Sequence, residues 1–237
     1  MITNKLIFDT LLSDIQDHEI LRVVIGINWT LVETTTGCGL AHTPRRDEPG
    51  CKPISHAGKL ADLRLKQAAE FVLSKNPIEV AIGMAAINAS YNRYDIKADN
   101  KNGLDAFANI EGPITVIGRF PGIADHIKNL RVIEKEPREG EYGEKDAEKL
   151  LPESAGVIVT SSALVNGSAG KLLELVKDTR VGLVGPSTPF APKLFEIGIE
   201  FLAGTIVTDV EGMAIAVGEG GGVKMLKPYG VFKTLVR

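Results

Sequence analysis

The sequence predicts an α/β protein in two parts: an α+β domain over residues 1–110 and, over 111–237, a domain built on a doubly wound, mostly parallel sheet. Three observations predict this class. The 237 residues, 44% of them apolar, suffice for one large core or two modest ones. The first half mixes helical and extended patterns. From residue 112, short apolar runs alternate with helical segments, which is typical of parallel strands covered on both faces.

The first half begins with a helix followed by an extended segment. Apolar residues recur at helical spacing between Ile2 and Ile15, which predicts an amphipathic helix. The β-branched stretch over 22–43 contains the glycine pair Gly37 and Gly39. We expect a β-hairpin or a meander there.

Two further helices are predicted in the first half. One begins at Ser55, a candidate N-cap, and continues to Lys75. The next has Asn76 as its cap and Pro77 at its first position, where an N–H would have no partner in any case. Its small residues should permit close packing against a neighbour: Ala81, Gly83, Ala85, Ala86 and Ala89.

The second half contains six predicted strands. Four are short apolar runs, a fifth follows them and the sixth is an edge strand: 112–118, 130–136, 156–162, 180–187, 200–209 and 230–236. Helical patterns lie between the first four, at 119–129, 144–153 and 168–178. The glycine-rich run 218–222 follows a helical segment, so we expect a helix C-terminus and a loop there rather than a phosphate-binding loop.

Composition and charge restrict the partners of this protein. The net charge is −3 and no basic run occurs, so we expect no nucleic-acid partner. The N-terminal segment carries charges among its apolar residues, and nowhere do eighteen apolar residues run together, so we expect neither a signal peptide nor a membrane span. A cytoplasmic protein with a small-molecule ligand is expected, and a homo-oligomer is compatible with the sequence.

Ligands of an open parallel sheet bind beyond the carboxyl ends of its strands, where the strand order reverses. Polar or glycine-containing turns follow all four apolar strands, at Gly118–Gly122, Glu134, Thr160–Ser168 and Gly185–Pro189. In the last turn, Ser187 and Thr188 are candidate N-caps of a helix opened by Pro189 or Pro192, and the N-terminus of such a helix would suit an anion.

Two charged residues on this rim have candidate roles. Arg119 either pairs with an anionic ligand through both guanidinium nitrogens or lies on the surface. Glu134, at the end of the second strand, either accepts hydrogen bonds from ribose hydroxyls or is a solvated carboxylate. The ribose role would fit an adenosylmethionine-like nucleotide. The spacing of Gly118 and Gly122 is not the dinucleotide-binding fingerprint.

The first half contributes a second set of candidates. Cys38, His42, Cys51 and His56 fall within nineteen residues and have the side chains of a soft transition-metal site, although the spacing is not a familiar zinc pattern. Cys38 could instead simply fill space. Glu33, at a strand end, is a candidate base or ligand or a solvated carboxylate. Asn88 either caps a neighbouring backbone or faces a cleft.

Four stretches together resemble a prokaryotic family known as the putative heavy-metal chelation domain family: "NWTLVETTTGCGLAHT", "GMAAINAS", "VIGRFPG" and "GPSTPFAPKLFEIGIEFLAGTIV". The resemblance covers nearly the whole chain. It implies an enolase N-terminal-like domain, then a Rossmann-like domain partly similar to adenosylmethionine-dependent methyltransferases. It also implies a role in metal chelation, or in making or breaking flavin-, pterin- or siderophore-like molecules.

The resemblance further implies a site in the cleft between the two domains. The residues that match, and would line this cleft, are Glu33, Gly37, Gly39, His42, Asn88, Gly118, Arg119, Phe120, Pro121, Thr160, Ser161, Gly185, Pro186, Ser187 and Thr188. Cys51 and His56 match no motif of the family.

Three functions follow from these residues. The first is an enzyme that condenses or hydrolyses a small anionic, metal-chelating molecule, with Glu33 or His42 as acid or base. The second is a non-catalytic metal or metallophore carrier that uses Cys38 and His42. The third is an adenosylmethionine-dependent transferase that uses Glu134. The sequence does not decide between an enzyme and a carrier.

Overall fold

The computed structural model describes residues 1–45, 52–99, 103–120, 122–176 and 179–237. It confirms the mixed α/β class: a three-stranded antiparallel sheet comes from the first half and a seven-stranded, mostly parallel sheet from the second.

The first half is a helix, a meander and two more helices. Helix α1 spans Asn4–Leu12 and is capped by the Thr3 hydroxyl, which accepts from the Leu6 N–H. The antiparallel meander consists of β1 (Ile20–Ile25), β2 (Trp29–Thr34) and β3 (Cys38–His42). Helix α2 (Leu65–Ala69) and helix α3 (Pro77–Tyr91) follow. Asn76 caps α3 and Pro77 opens it, as predicted.

The helix predicted over 55–75 is wrong in extent. Only α2 is α-helical, with 3₁₀ turns at Leu60–Asp62 and Glu70–Leu73 on either side. His56 (φ 60°) and Gly58 (φ 84°) are both left-handed, and this conformation interrupts a right-handed helix. The Ser55 N–H donates to the Glu79 carboxylate, so this backbone is tied to α3 instead.

The second half forms the large sheet. Its strands, in chain order, are β4 (Ile114–Ile117), β5 (Leu130–Glu134), β6 (Tyr142–Gly143), β7 (Gly156–Thr160), β8 (Arg180–Val184), β9 (Phe201–Val207) and β10 (Gly230–Val236).

The strand order of this sheet is the doubly wound one. Across the sheet it runs β10-β9-β8-β7-β4-β5-β6, and only β10 is antiparallel. The first strand, β4, is therefore central, with the next two strands on one side and the later ones on the other, as in dinucleotide-binding sheets. The order reverses between β4 and β7, and ligands of such sheets usually bind beyond the carboxyl ends of the strands at this point.

Short helices connect these strands: α4 (Ala147–Leu150), α5 (Ser162–Val165), α6 (Ala169–Glu174), α7 (Val210–Gly218) and α8 (Val223–Leu226). The helix predicted over 119–129 is wrong, because the described residues of this segment form only a 3₁₀ turn, at Ile123–Asp125. Gly118 and Gly122 are both left-handed and prevent a helix from starting after β4. Among the described residues, no helix is long and apolar enough to cross a membrane.

The two halves share one hydrophobic core. The largest apolar cluster contains Ile7 and Ala85 from the first half together with Leu164 and Leu183 from the second. Helix α3 lies at its centre and is buried along nearly its whole length. The opposite face of β2 and β3 packs against α7, through Leu31 and other residues. The antiparallel sheet is thus held between α3 and α7.

Candidate functional site

The turns predicted to share one rim of the parallel sheet do so. Gly118, after β4, and Gly185, after β8, both have positive φ angles, of 95° and 137°. A Cβ on Gly118 would lie 2.9 Å from Thr160 Cγ2, and one on Gly185 would lie 2.6 Å from Ser161 Oγ. The side chains of Thr160 and Ser161, at the end of β7, therefore fill the space that side chains at Gly118 and Gly185 would need.

Neutral hydroxyl groups line this rim at the end of β7. Thr160 Oγ1 lies 3.1 Å from Ser162 Oγ at the start of α5, and Thr160 is half-buried. Hydroxyls donate and accept, so they can orient a polar ligand without adding charge. Phe120, from the next turn, is half-buried against a cluster that contains Phe107 and Ile114. Pro121 lies outside the described residues.

Arg119, expected to bind an anionic ligand or lie on the surface, has an internal partner. Its Nε donates to one carboxylate oxygen of Glu141 at 2.9 Å, and its Nη2 donates to the other. Glu134 Oε1 lies 4.0 Å from Nη1. The hydrogen bonds from Arg119 and from the Arg138 N–H lower the pKa of Glu141 to about 2. An anion would have to compete with Glu141 for this guanidinium.

Sequence reasoning missed Glu141, because it lies in a charged stretch that is typical of a solvated loop. Nothing in the local pattern separates it from the exposed glutamates around it. Its side chain is only 15% exposed, and the pairing with Arg119 is a tertiary contact.

Two asparagines, one in α3 and one at its C-cap, hold the turn after β8. The Asn88 amide donates to the Leu40 carbonyl at 2.6 Å and the Ser187 carbonyl at 2.9 Å. One helical turn further on, Asn92 donates to the Thr188 carbonyl and accepts from the Phe190 N–H, both at 2.9 Å. Asn88 therefore bonds to backbone, one of its two predicted roles. Asn92 was missed, although its spacing of four residues from Asn88 places it on the same helix face.

Ser187 and Thr188 do not cap a helix, contrary to the prediction. The segment that follows is a 3₁₀ turn, Pro192–Ile197, preceded by Ala191, so no α-helix begins directly after the turn that follows β8. Ser187 Oγ instead accepts the His42 N–H at 2.9 Å. Thr188 is fully buried. Pro186 lies between Gly185 and Ser187 and is half-buried.

The main-chain N–H of His42, at the end of β3, contacts the turn after β8. The His42 ring stands edge-on to Trp29, with 6.0 Å between ring centroids. Partial burial and the positive charge of Arg45 lower the pKa of His42 below its ordinary value, so the imidazole is neutral at pH 7. A neutral imidazole can accept a proton or bind a metal.

Glu33 and Cys38 lie at the opposite end of the hairpin from His42. Glu33 is paired across the sheet with Cys38, as Trp29 is with His42, which separates the two pairs by about 13 Å at about 3.3 Å per residue. Arg22 Nε donates to the Glu33 carboxylate at 2.9 Å. Glu33 and His42 are therefore separate candidates and do not form one acid–base pair.

The predicted metal pair of Cys38 and His42 is not supported by this geometry. The two side chains are too far apart to bind one ion. Burial, and then the charge of Glu33, raise the pKa of the Cys38 thiol, which disfavours the thiolate that metals require. Cys51 lies outside the described residues, and His56 lies beside Phe71. No group of three His, Cys, Asp or Glu side chains in the described part of the chain is placed to hold an ion.

Gly37 and Gly39, which the resemblance places in the cleft, serve helix packing. A Cβ on Gly39 would lie 2.0 Å from the Ala85 carbonyl oxygen, and one on Gly37 would lie 2.4 Å from that of Ala89. These glycines let β3 lie directly on the backbone of α3. Helix α3 thus occupies the space next to β3 in which the resemblance expects a cleft.

Two concave regions lie at the amino edge of the sheet, away from the rim. One, of about 360 Å³, is lined by α1, α6 and the start of β8. The other, of about 500 Å³, lies at the starts of β4 and β5 beside Lys128 and Arg131. Neither contains a residue predicted for the site.

Comparisons with known proteins agree on one family. Two family models, DUF4213 and DUF364, match residues 8–91 and 105–236, and both are described as "Putative heavy-metal chelation". A crystal structure of a DUF364 protein of unknown function from Desulfitobacterium hafniense is similar over 98% of both chains, with 31% identity and a TM-score of 0.86.

A second DUF364 structure, from Pyrococcus horikoshii, has 22% identity and a TM-score of 0.78, covers 99% of this chain and 98% of its own, and supports the fold alone. The search of curated proteins found no match.

Proposed function

Because the chain belongs to the putative heavy-metal chelation family, we propose that it binds a small metal-chelating molecule at the carboxyl rim of its parallel sheet. The observation that carries this proposal is the reversal of the strand order between β4 and β7. There Gly118 and Gly185 carry no side chain, so the side chains of Thr160 and Ser161 pack directly against the two turns. In a doubly wound sheet, the point of reversal is the usual ligand crevice.

The metal enters this proposal as part of the ligand. Cys38 and His42 do not fit a shared ion, for the reasons given above. Pterin-, flavin- and siderophore-type molecules carry the oxygen and nitrogen atoms that bind the metal. The protein then needs only hydroxyl groups and one positively charged side chain that can change its partner. Arg119 is that side chain, because it can exchange the Glu141 carboxylate for an anionic group of the ligand.

Calorimetric titration of the full chain with a panel of such chelators, each metal-free and metal-loaded, tests the proposal. We expect one class to bind and Arg119→Gln to weaken binding at least tenfold. Glu141→Gln should strengthen binding, because it releases the guanidinium. Lys128→Gln, at the opposite edge, is the charge-matched control for Arg119→Gln and should have no effect.

Metal analysis of untagged protein purified without chelators can contradict the proposal that the metal belongs to the ligand. Stoichiometric zinc, nickel, cobalt or copper bound without an organic ligand would contradict ligand-borne metal and would indicate a direct site.

Whether the bound molecule is transformed depends on His42. The main chain of His42 contacts the turn after β8, and its imidazole, if it faces the bound ligand, is suited to a general base in a condensation or hydrolysis. His42→Gln should then abolish turnover and leave ligand affinity within about twofold. Binding without any turnover by the parent protein would assign a carrier.

Glu134 favours a second candidate, an adenosylmethionine-dependent transferase. It is the last residue of β5, next to the crevice strand β4, where an acidic residue binds ribose in related sheets. Adenosylmethionine and adenosylhomocysteine should then bind, and Glu134→Gln should remove the binding. No heat signal with either compound excludes this candidate.

A further inference from the structure

The contact between α3 and the turn after β8 buries two polar atoms that no described protein group satisfies. Asn88 and Thr188 are each 0% exposed. Among the described residues, neither Asn88 Oδ1 nor Thr188 Oγ1 has a hydrogen-bond partner. Buried polar atoms in folded proteins are nearly always paired, so each such exception requires an explanation.

The orientation of the Asn88 amide is fixed by its neighbours. Its nitrogen donates to the carbonyl oxygens of Leu40 and Ser187. Rotating the amide by half a turn would place Oδ1 against both carbonyl oxygens, which also only accept. Asn88 Oδ1 therefore needs a donor from elsewhere. Asn92, four residues further along, has hydrogen-bond partners for both its side-chain nitrogen and its side-chain oxygen. The missing partner is therefore specific to Asn88.

The missing partner must be small, enclosed and able to donate. The Thr188 hydroxyl can donate or accept and lies one residue beyond the Ser187 carbonyl that Asn88 binds. Internal waters commonly bridge such groups when the site is polar. We propose that one water molecule is enclosed between α3 and the turn after β8, donating to Asn88 Oδ1 and hydrogen-bonded to Thr188 Oγ1.

This water would position the ligand rim. Gly185 and Ser187 belong to the same turn as Thr188, so the water would join α3 to the backbone that borders the crevice. The inference does not depend on the proposed ligand, and its failure would leave the chelator proposal intact.

The sign of one isosteric substitution tests the inference. Thr188→Val replaces the hydroxyl by a methyl group of similar size. If the hydroxyl binds water, the folding equilibrium constant should fall about tenfold. If it has no partner, removing a buried unsatisfied group should leave stability unchanged or raise it, and that result would overturn the inference. Thr30→Val is the matched control, because the buried Thr30 hydroxyl bonds to Thr43 at 2.8 Å, and it should lower stability in either case.

Oxygen-17 magnetic relaxation dispersion measures long-lived internal waters directly. Thr188→Val should show one fewer than the parent, and Thr188→Ser, which keeps the hydroxyl, should retain it. Equal numbers in the parent and Thr188→Val would overturn the inference. Replacing Na⁺ by K⁺ or NH₄⁺ should leave the unfolding midpoint unchanged, and a rise would assign a cation to the position instead of water.

Discussion

Gly185 has two separate reasons to be glycine. Its φ of 137° is unfavourable for other residues, and a Cβ there would lie 2.6 Å from Ser161 Oγ. We expect Gly185→Ala to lower the unfolding free energy by about 2–3 kcal/mol, mostly through backbone strain, with a smaller cost for moving the Ser161 hydroxyl. Urea denaturation measures this loss.

Gly140 provides the matched control for Gly185. Its φ is 83° and a Cβ at this position would have no neighbouring atom within 4 Å, so Gly140→Ala should cost only the left-handed strain, about 1–2 kcal/mol. Equal losses in the two variants would show that Ser161 does not crowd Gly185.

The Cys38 thiol should be inert in the folded protein. It is buried beside Glu33, and both effects raise its pKa, which suppresses the reactive thiolate. In a Cys51→Ser variant, labelling with a disulfide reagent should be slow without denaturant and should accelerate as urea opens the fold. Rapid labelling in native buffer would mean that the end of the hairpin opens locally.

At the scale of elements, Glu79 fastens the loop before α2 to helix α3. It accepts the Ser55 N–H at 2.8 Å and a hydrogen bond from the Ser74 hydroxyl. Burial alone would raise the pKa of Glu79, but these hydrogen bonds and the charge of His56 outweigh it, so the pKa lies below its ordinary value. The carboxylate is therefore more stable in the folded state than in the unfolded chain.

This lowered pKa fixes the sign of a pH effect. The stabilisation is fully present above the ordinary pKa of 4.5 and is lost as the pH falls through the lower value of the folded state. Glu79→Gln should cost about 1–3 kcal/mol at pH 7 and progressively less in acid. Thermal melts from pH 7 to pH 3 measure the difference, with the exposed Glu70→Gln as control. A loss that does not change with pH would exclude the charge of Glu79 as its source.

Elements with strong local patterns were predictable from the sequence. The apolar runs predicted the central strands of the large sheet, and the Asn76-Pro77 pair marked the start of α3. The predictions that failed did so because of contacts between distant residues or because of unusual backbone dihedral angles. His56 and Gly58 break the helix expected over 55–75 because both have left-handed backbone angles.

The candidate site was predictable as a rim and not as a set of contacts. The rule that ligands bind at strand carboxyl ends grouped Gly118, Thr160 and Gly185 correctly. The pairing of Arg119 with Glu141 joins residues 22 apart in the chain, and no periodicity encodes it. The packing role of Gly39 likewise requires knowing that α3 crosses β3.

At the scale of the whole molecule, the shared core predicts a single unfolding transition. The main apolar cluster draws on α1 and α3 as well as on β7 and β8, so neither half can lose its structure without exposing the other. In denaturant concentrations near the unfolding transition, hydrogen exchange should give the same free energy of opening for amides in β2, from the first half, and for amides in β7, from the second. A separate, weaker opening of either half would contradict a common core.

The asparagine pair on α3 has a consequence for how such proteins arise. The turn that borders the crevice belongs to the segment matched by one family model, while Asn88 and Asn92, which hold it, belong to the other segment or adjoin it. A recombination event that exchanged one segment for an unrelated domain would leave the backbone of that turn without its donors. Selection on the ligand crevice is therefore expected to keep the two coding segments adjacent and to make them diverge together.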